Sequence, residues 1–242
     1  MNLSTVRGTL ACKVAIYALT LGVAAAYAQR PPQQETEFSG HVELPKNVGG
    51  HMPATVVWLN PVGEASRIEP SHPGRFTLVQ KNKMFSPHLL VIPAGSIVFF
   101  PNADPFFHDV FSLFNGKRFD LGLYEAGTSK EVVFSREGVS YIFCNIHPEM
   151  SAVVVVLSTP SYATAGPGGA VSIRGVPVGE YELHVWVEGS TQPELDRLMR
   201  RVRIAEGSGD LGVIDASGAP SKPASHLNKF GQPYDRDSKP SY

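Results

Sequence analysis

Seven residues, CNIHPEM at 144–150, place a thiol, an imidazole and a thioether at even spacing: Cys144, His147 and Met150. All three are soft or borderline metal ligands. Thiolate and thioether sulfur suit Cu(I), and imidazole suits copper in either oxidation state. A further imidazole, His108, opens an apolar run after the loop PNADPFF. If the segments carrying His108 and Cys144 lie side by side, four donors converge at one end of a fold. Two neutral imidazoles, one thiolate and a weak thioether are the donor set of a mononuclear electron-transfer copper site. Zinc fits less well, because structural zinc takes Cys and His and has little use for a thioether. The plain alternative is a loop with a buried Cys, a surface His and a core Met.

The remaining histidines, His41, His51, His72, His88, His184 and His226, share no short metal spacing and read as surface residues. Tandem HxH and HCH motifs, which a trinuclear copper cluster needs, are absent, and so is the second loop cysteine of a dinuclear centre. Four side-chain donors leave no open coordination position for a substrate, so the expectation is a non-enzyme. Asp104 reads as a turn residue.

The elements that must position these donors read as strands. Runs rich in β-branched and aromatic residues occur at 38–44, 54–60, 75–80, 88–93, 96–102, 108–114, 130–135, 139–145 and 151–158, with turn signals between them. The ligand loop starts where the run at 139–145 ends and finishes where SAVVVVLS begins. Short, evenly spaced strands predict an all-β antiparallel sandwich. Residues 159–169 are a Pro/Gly/Ser/Thr-rich connection, and 170–189 hold two more strands around VPVG. QPELDRLMRRVRIA (192–205) can be read as helix or, in its second half, as strand. A last strand is expected at 211–215. Residues 216–242 lack an apolar period and are expected to form a mobile tail.

Composition bounds the rest. The 242 residues are 43% hydrophobic and 18% charged with net charge −1, which suits a folded protein and excludes a basic nucleic-acid surface. Residues 1–28 read as a signal peptide: Arg7 and Lys13, then the apolar run 14–26, then the AYA cleavage site. Its removal takes two bases and no acid, moving the net charge from −1 to −3. It also takes Cys12, so the mature chain keeps Cys144 as its one cysteine and no transmembrane anchor. A lone thiol in an oxidising compartment is a liability that a metal would remove.

The pattern PAGSIVFFPNADPFFHDVFSLF followed by GVSYIFCNIHPEMSAVVVV resembles the cupredoxins, the blue copper proteins, and its short His-to-Met gap is similar to that of amicyanin, within the plastocyanin/amicyanin type. The resemblance covers residues 74–158 and implies a Greek-key β-sandwich with one type 1 copper. It makes His108, Cys144, His147 and Met150 the ligands, with His147 the solvent-facing imidazole. Asn102, Asp109 and Asn145 would support them from behind. Many members have Asn after the first ligand His, and here it is Asp109. A carboxylate only accepts hydrogen bonds, and its charge beside copper is expected to favour Cu(II) and lower the potential. Phe106, Phe107, Ile146 and Pro148 would form an apolar docking patch.

The flanks, 36–66 and 168–215, resemble pieces of a carboxypeptidase-regulatory, transthyretin-like sandwich, on FSGHVEL, ATVVWLNP and AVSIRGVPVGEYELHVWVEG. The implied whole is a periplasmic or secreted single-electron carrier whose partner is a redox protein such as a c-type cytochrome or a dehydrogenase. Two alternatives stay open: copper storage or delivery, and a surface binding module in which copper only stabilises the fold.

Overall fold

The computed structural model describes residues 36–45, 52–63, 69–113, 116–207, 209–218 and 226–234. The signal segment at 1–28 lies outside them. The strands are β1 (Thr36–Glu43), β2 (Thr55–Pro61), β3 (Arg75–Thr77), β4 (Val79–Lys81), β5 (Met84–Ser86) and β6 (Leu89–Pro93). They continue with β7 (Ser96–Pro101), β8 (His108–Ser112), β9 (Phe119–Tyr124), β10 (Ser129–Phe134), β11 (Gly138–Cys144) and β12 (Ser151–Leu157). After β13 (Tyr162–Thr164), β14 (Ala170–Val176) and β15 (Gly179–Val187) come the helix α1 (Gln192–Leu198), β16 (Arg200–Ile204) and β17 (Asp210–Asp215). The protein is all-β, as its periodicity predicts. No helix among the described residues is long and apolar enough to cross a membrane.

The strands close around two separate cores. Sheets β14-β1-β17 and β13-β2-β15-β16 enclose Phe38, Val42, Leu59, Ile173, Tyr181 and Leu183. Sheets β10-β7-β3 and β6-β12-β11-β8-β9 enclose a second core that includes Phe100, Phe134, Ile142, Cys144 and Met150. The chain thus leaves the first sandwich after β2, builds the second with β3–β12, and returns. β13 lies within the stretch expected to be only a connection, and it pairs with β2.

β12 explains why SAVVVVLS does not alternate. Ala152, Val154 and Val156 face the second core, while Val153, Val155 and Leu157 pack on Val56 and Trp186 of the first sandwich. A strand buried on both faces needs apolar residues at every position. It also holds the far end of the ligand loop between two packed layers. The ambiguous stretch at 192–205 is both things in turn. Glu194 accepts the Thr191 backbone N–H at 2.7 Å and starts the helix, and Arg200–Ile204 then pairs with β15.

The mobile tail expected over 216–242 is corrected in two places. Ala216 is buried and donates its N–H to the Glu43 carbonyl at 2.8 Å. Residues 226–234 fold on themselves: Asn228 Oδ1 accepts the backbone N–H of Phe230 and of Gln232, each at 3.0 Å, and Gly231 takes the positive φ the turn needs. Side-chain-to-backbone bonds order this segment, and an apolar period does not register them.

Candidate metal centre

Strand pairing brings the two donor-bearing segments together. β11 pairs antiparallel with β8, with Cys144 opposite Val110, so the start of β8 and the end of β11 meet at one pole of the second sandwich. The ligand loop is a tight hairpin connection. Met150 N–H donates to the His147 carbonyl at 3.0 Å, and Cys144 N–H to the Met150 carbonyl at 3.3 Å. One ligand atom from each of His108, Cys144 and His147 lies within 4.8 Å of the others, and all three side chains are buried. Cys144 Sγ is 3.6 Å from His108 Nδ1 and 3.5 Å from His147 Nδ1. Met150 is fully buried in the same core as Cys144.

His147 is 2% exposed, which corrects the expectation of a solvent-facing imidazole. Its ring centroid is 4.9 Å from that of His108, and the Phe106 ring sits 5.4 Å from both. Phe106 is half-buried and so is Ile146, whereas Pro148 is exposed and Phe107 is 45% exposed. Of the expected apolar patch, Phe107 and Pro148 are thus the exposed members, and the imidazole is covered.

Asp104 does more than shape a turn. Its carboxylate is buried and accepts three donors: Asn82 N–H at 2.6 Å, Lys83 N–H at 3.0 Å and His108 Nε2–H at 3.0 Å. Asn82 and Lys83 form the two-residue turn between β4 and β5 and both have positive φ, a conformation non-glycine residues seldom hold. Burial alone would raise the Asp104 pKa, but the donors from Lys83, His108 and Asn82 bring it below the ordinary value. The ionised carboxylate fixes the proton of His108 on Nε2 and leaves the Nδ1 lone pair facing Cys144. Asn102 builds the loop that carries Asp104. Its Nδ2 donates to the Phe106 carbonyl at 2.7 Å, and its Oδ1 accepts the Asp104 N–H at 3.0 Å.

Electrostatics keep the two imidazoles in ligand form and the thiol protonated. Burial pushes the His108 pKa down despite Asp104, and burial together with the neighbouring His108 and Lys83 takes His147 to about 4. Both imidazoles are thus neutral at neutral pH. Burial raises the Cys144 pKa, so a metal ion would bind with release of the thiol proton. Two neutral imidazoles and one buried sulfur, with a buried thioether in the same core, fit copper by donor chemistry.

Asp109 ties the two ligand-bearing segments together even though it cannot donate from its side chain. Its carbonyl accepts the Asn145 N–H at 2.8 Å, and its Oδ2 accepts Asn145 Nδ2–H at 3.2 Å. The amide sits on the other partner of the pair. The Asp109 charge also has a partner: Lys229 Nζ, from the segment 226–234, stands 2.8 Å from Asp109 Oδ2. Sequence reasoning missed Lys229, and no local signal marks it. Of the other histidines, His41 and His72 are exposed as expected, His51 lies outside the described residues, and three have partners. His88 Nε2 meets Glu188 at 2.8 Å, the His184 ring stacks on Trp58, and the His226 ring stacks on Phe143.

No protein-family model matches the sequence, and no curated protein matches it. Among solved structures, part of the chain is similar to a purple cupredoxin from Nitrosopumilus maritimus, with 29% identity over 34% of this chain and 98% of that one and a TM-score of 0.31. It is also similar to amicyanin from Paracoccus versutus, with 20% identity over 34% of this chain and 79% of that one and a TM-score of 0.31. A copper-containing nitrite reductase from Thermus scotoductus SA-01 matches at 24% identity over 41% of this chain and 25% of that one, with a TM-score of 0.33.

Proposed function

We propose that the protein is a mononuclear type 1 copper protein that carries single electrons. The observation that carries this reading is the buried group of His108, Cys144 and His147, with ligand atoms within 4.8 Å of one another and His108 held in one tautomer by Asp104. Met150 supplies the thioether from the same core. Copper held there would supply one-electron redox chemistry, and the chain's own task is to keep the donors in place as the charge changes. The hydrogen bonds of Asp104, Asn102 and Asn145 do this, so little rearrangement accompanies electron transfer.

The partner in this reading is a redox protein such as a c-type cytochrome or a dehydrogenase, met outside the cytoplasm after signal cleavage. It would dock over Phe106, Phe107, Ile146 and Pro148, a small apolar patch of the kind that suits brief encounters. The flanking sandwich is read as a carboxypeptidase-regulatory type module.

Loading the mature protein with Cu(II) and recording its visible spectrum tests the proposal. An intense blue or purple band that Cys144→Ser abolishes, with reversible voltammetry, is the expected result. A colourless loaded protein overturns it. Metal transfer to an acceptor without redox cycling would instead make it a copper storage or delivery protein.

A binding role for the flanking sandwich has one observation in its favour. A cleft of about 580 Å³ lies between the sandwiches, walled by Tyr141, Phe143, Glu188, Thr191 and His226. An aromatic cleft with a few polar groups is the usual form of a small-ligand site. If that is the function, a ligand of the cleft still binds after Cys144→Ser.

A further inference from the structure

We propose that residues 226–234 are a strap belonging to the metal centre, which clamps the ligand loop and supplies the counter-charge to Asp109. The inference rests on the reading of 144–150 as a ligand loop. Its observations are geometric and come from three kinds of contact.

The first is charge. Lys229 Nζ lies 2.8 Å from Asp109 and 3.1 Å from Asp120, and the first pair is shielded, with the lysine side chain 17% and Asp109 7% exposed. Asp109 Oδ1 is buried with no hydrogen-bond partner, so the aspartate depends on what meets Oδ2. The second is a set of hydrogen bonds to the ligand loop itself. Lys229 N–H donates to Asn145 Oδ1 at 3.0 Å, the Tyr234 hydroxyl to the Cys144 carbonyl at 3.1 Å, and His226 Nε2–H to the Pro148 carbonyl at 2.9 Å. The third is ring packing: His226 lies on the Phe143 ring at 3.8 Å between centroids and 18° between planes.

Apart from Asp120 on β9, each residue these contacts reach is a proposed ligand or stands next to one. Asp109 follows His108, Phe143 and Asn145 flank Cys144, and Pro148 follows His147. The strap therefore grips both strands that deliver donors and the turn between Cys144 and Met150. Clamping slows the opening by which a buried ion would escape. Lys229 is shared between Asp109 and Asp120, so its charge offsets part of the negative field that copper held there would experience from these carboxylates.

The test compares the full-length protein with Lys229→Met/Tyr234→Phe. In the metal-free protein, amide hydrogen exchange across 144–150 is expected to speed up by about tenfold or more, equivalent to about 1.4 kcal/mol of lost local protection, while β2 and β15 are unchanged. Unchanged exchange in the loop overturns the clamp. In the copper-loaded protein, Lys229→Met lowers the reduction potential, Asp109→Asn raises it, and the double variant returns close to the wild type. A Lys229→Met potential equal to that of the wild type, or a double variant that stays far from the wild type, overturns the counter-charge role. Lys229→Arg keeps the charge and restores both readouts, which separates the role from a general loss of folding. A wild-type protein that binds no copper would sink the proposed function, and the metal-free exchange would still decide the clamp.

Discussion

Asp104→Asn probes the link between a turn and a tautomer. The amide can offer one oxygen where the carboxylate offers two. With that oxygen on the Asn82 N–H, a contact of 2.6 Å, the amide nitrogen faces the Lys83 N–H and His108 Nε2, each at 3.0 Å. Either orientation leaves one backbone donor facing the amide nitrogen, at 2.6 Å in the opposite orientation and at 3.0 Å in the first, so the first is favoured. His108 relieves its own clash by shifting the proton to Nδ1, leaving Nε2 to accept. Nδ1 is the nitrogen that faces Cys144 Sγ at 3.6 Å, so the shift blocks the donor a metal needs. Loss of such an outer partner costs about 10–100-fold in metal affinity, or about 1.4–2.7 kcal/mol. Stability should fall by a further ~1–3 kcal/mol for the Lys83 donor left opposite another donor. The assay is a competition titration of copper against a chelator, paired with urea unfolding of the metal-free protein. A variant that loses stability but keeps its copper affinity within about twofold, well under the loss expected for an orienting partner, would show that Asp104 serves only the turn and refute the tautomer reasoning.

Three further outcomes are expected. Cys144→Ser abolishes the visible copper band, checked by absorption spectroscopy, while the metal-free protein keeps its far-UV circular dichroism. The His88 pKa is raised, chiefly by its hydrogen bond to Glu188 and against the effect of burial. The stability from this pair is therefore complete below the ordinary histidine pKa and is lost as pH rises through the higher folded value, so urea midpoints measured between about pH 6 and 8 should fall more in the wild type than in His88→Gln. Val155→Ala removes two methyl groups between the sandwiches, at about 1.5–3 kcal/mol, and calorimetry should still show one transition because both sandwiches share that interface.

The readable parts of the molecule were those with a short period or a fixed spacing. Strand alternation located most of the sheet elements, and SAVVVVLS was legible as a strand, whereas its burial on two faces came only from its packing on Val56 and Trp186. The donors in the CNIHPEM loop were legible because their chemistry is rare in so short a stretch. His108 could be added only by supposing that its segment lies beside that of Cys144, which the pairing of β8 with β11 bears out. What stayed hidden was carried by single polar residues acting over long chain separations. Lys229 reaches Asp109 across 120 positions, and its neighbourhood has the composition of a solvated tail. The burial of His147 was equally invisible, since it depends on how Phe106 and the loop pack together in space.

Asp104 and Asp109 make the distinction clearest. Both are aspartates close to His108, both are buried, and residue type alone gives them the same properties. Their donors separate them. Asp104 is held by two backbone amides of a strained turn, which fixes its position so that it can hold the proton of His108. Asp109 is held by a flexible lysine side chain and by the Asn145 amide, so its charge can be tuned by whatever keeps Lys229 in place. The first carboxylate sets geometry and the second sets field. Exchanging their partners would exchange their roles, and for that reason the electrostatics of the centre must be sought in the turn at 82–83 and the segment 226–234 as much as in the ligands themselves.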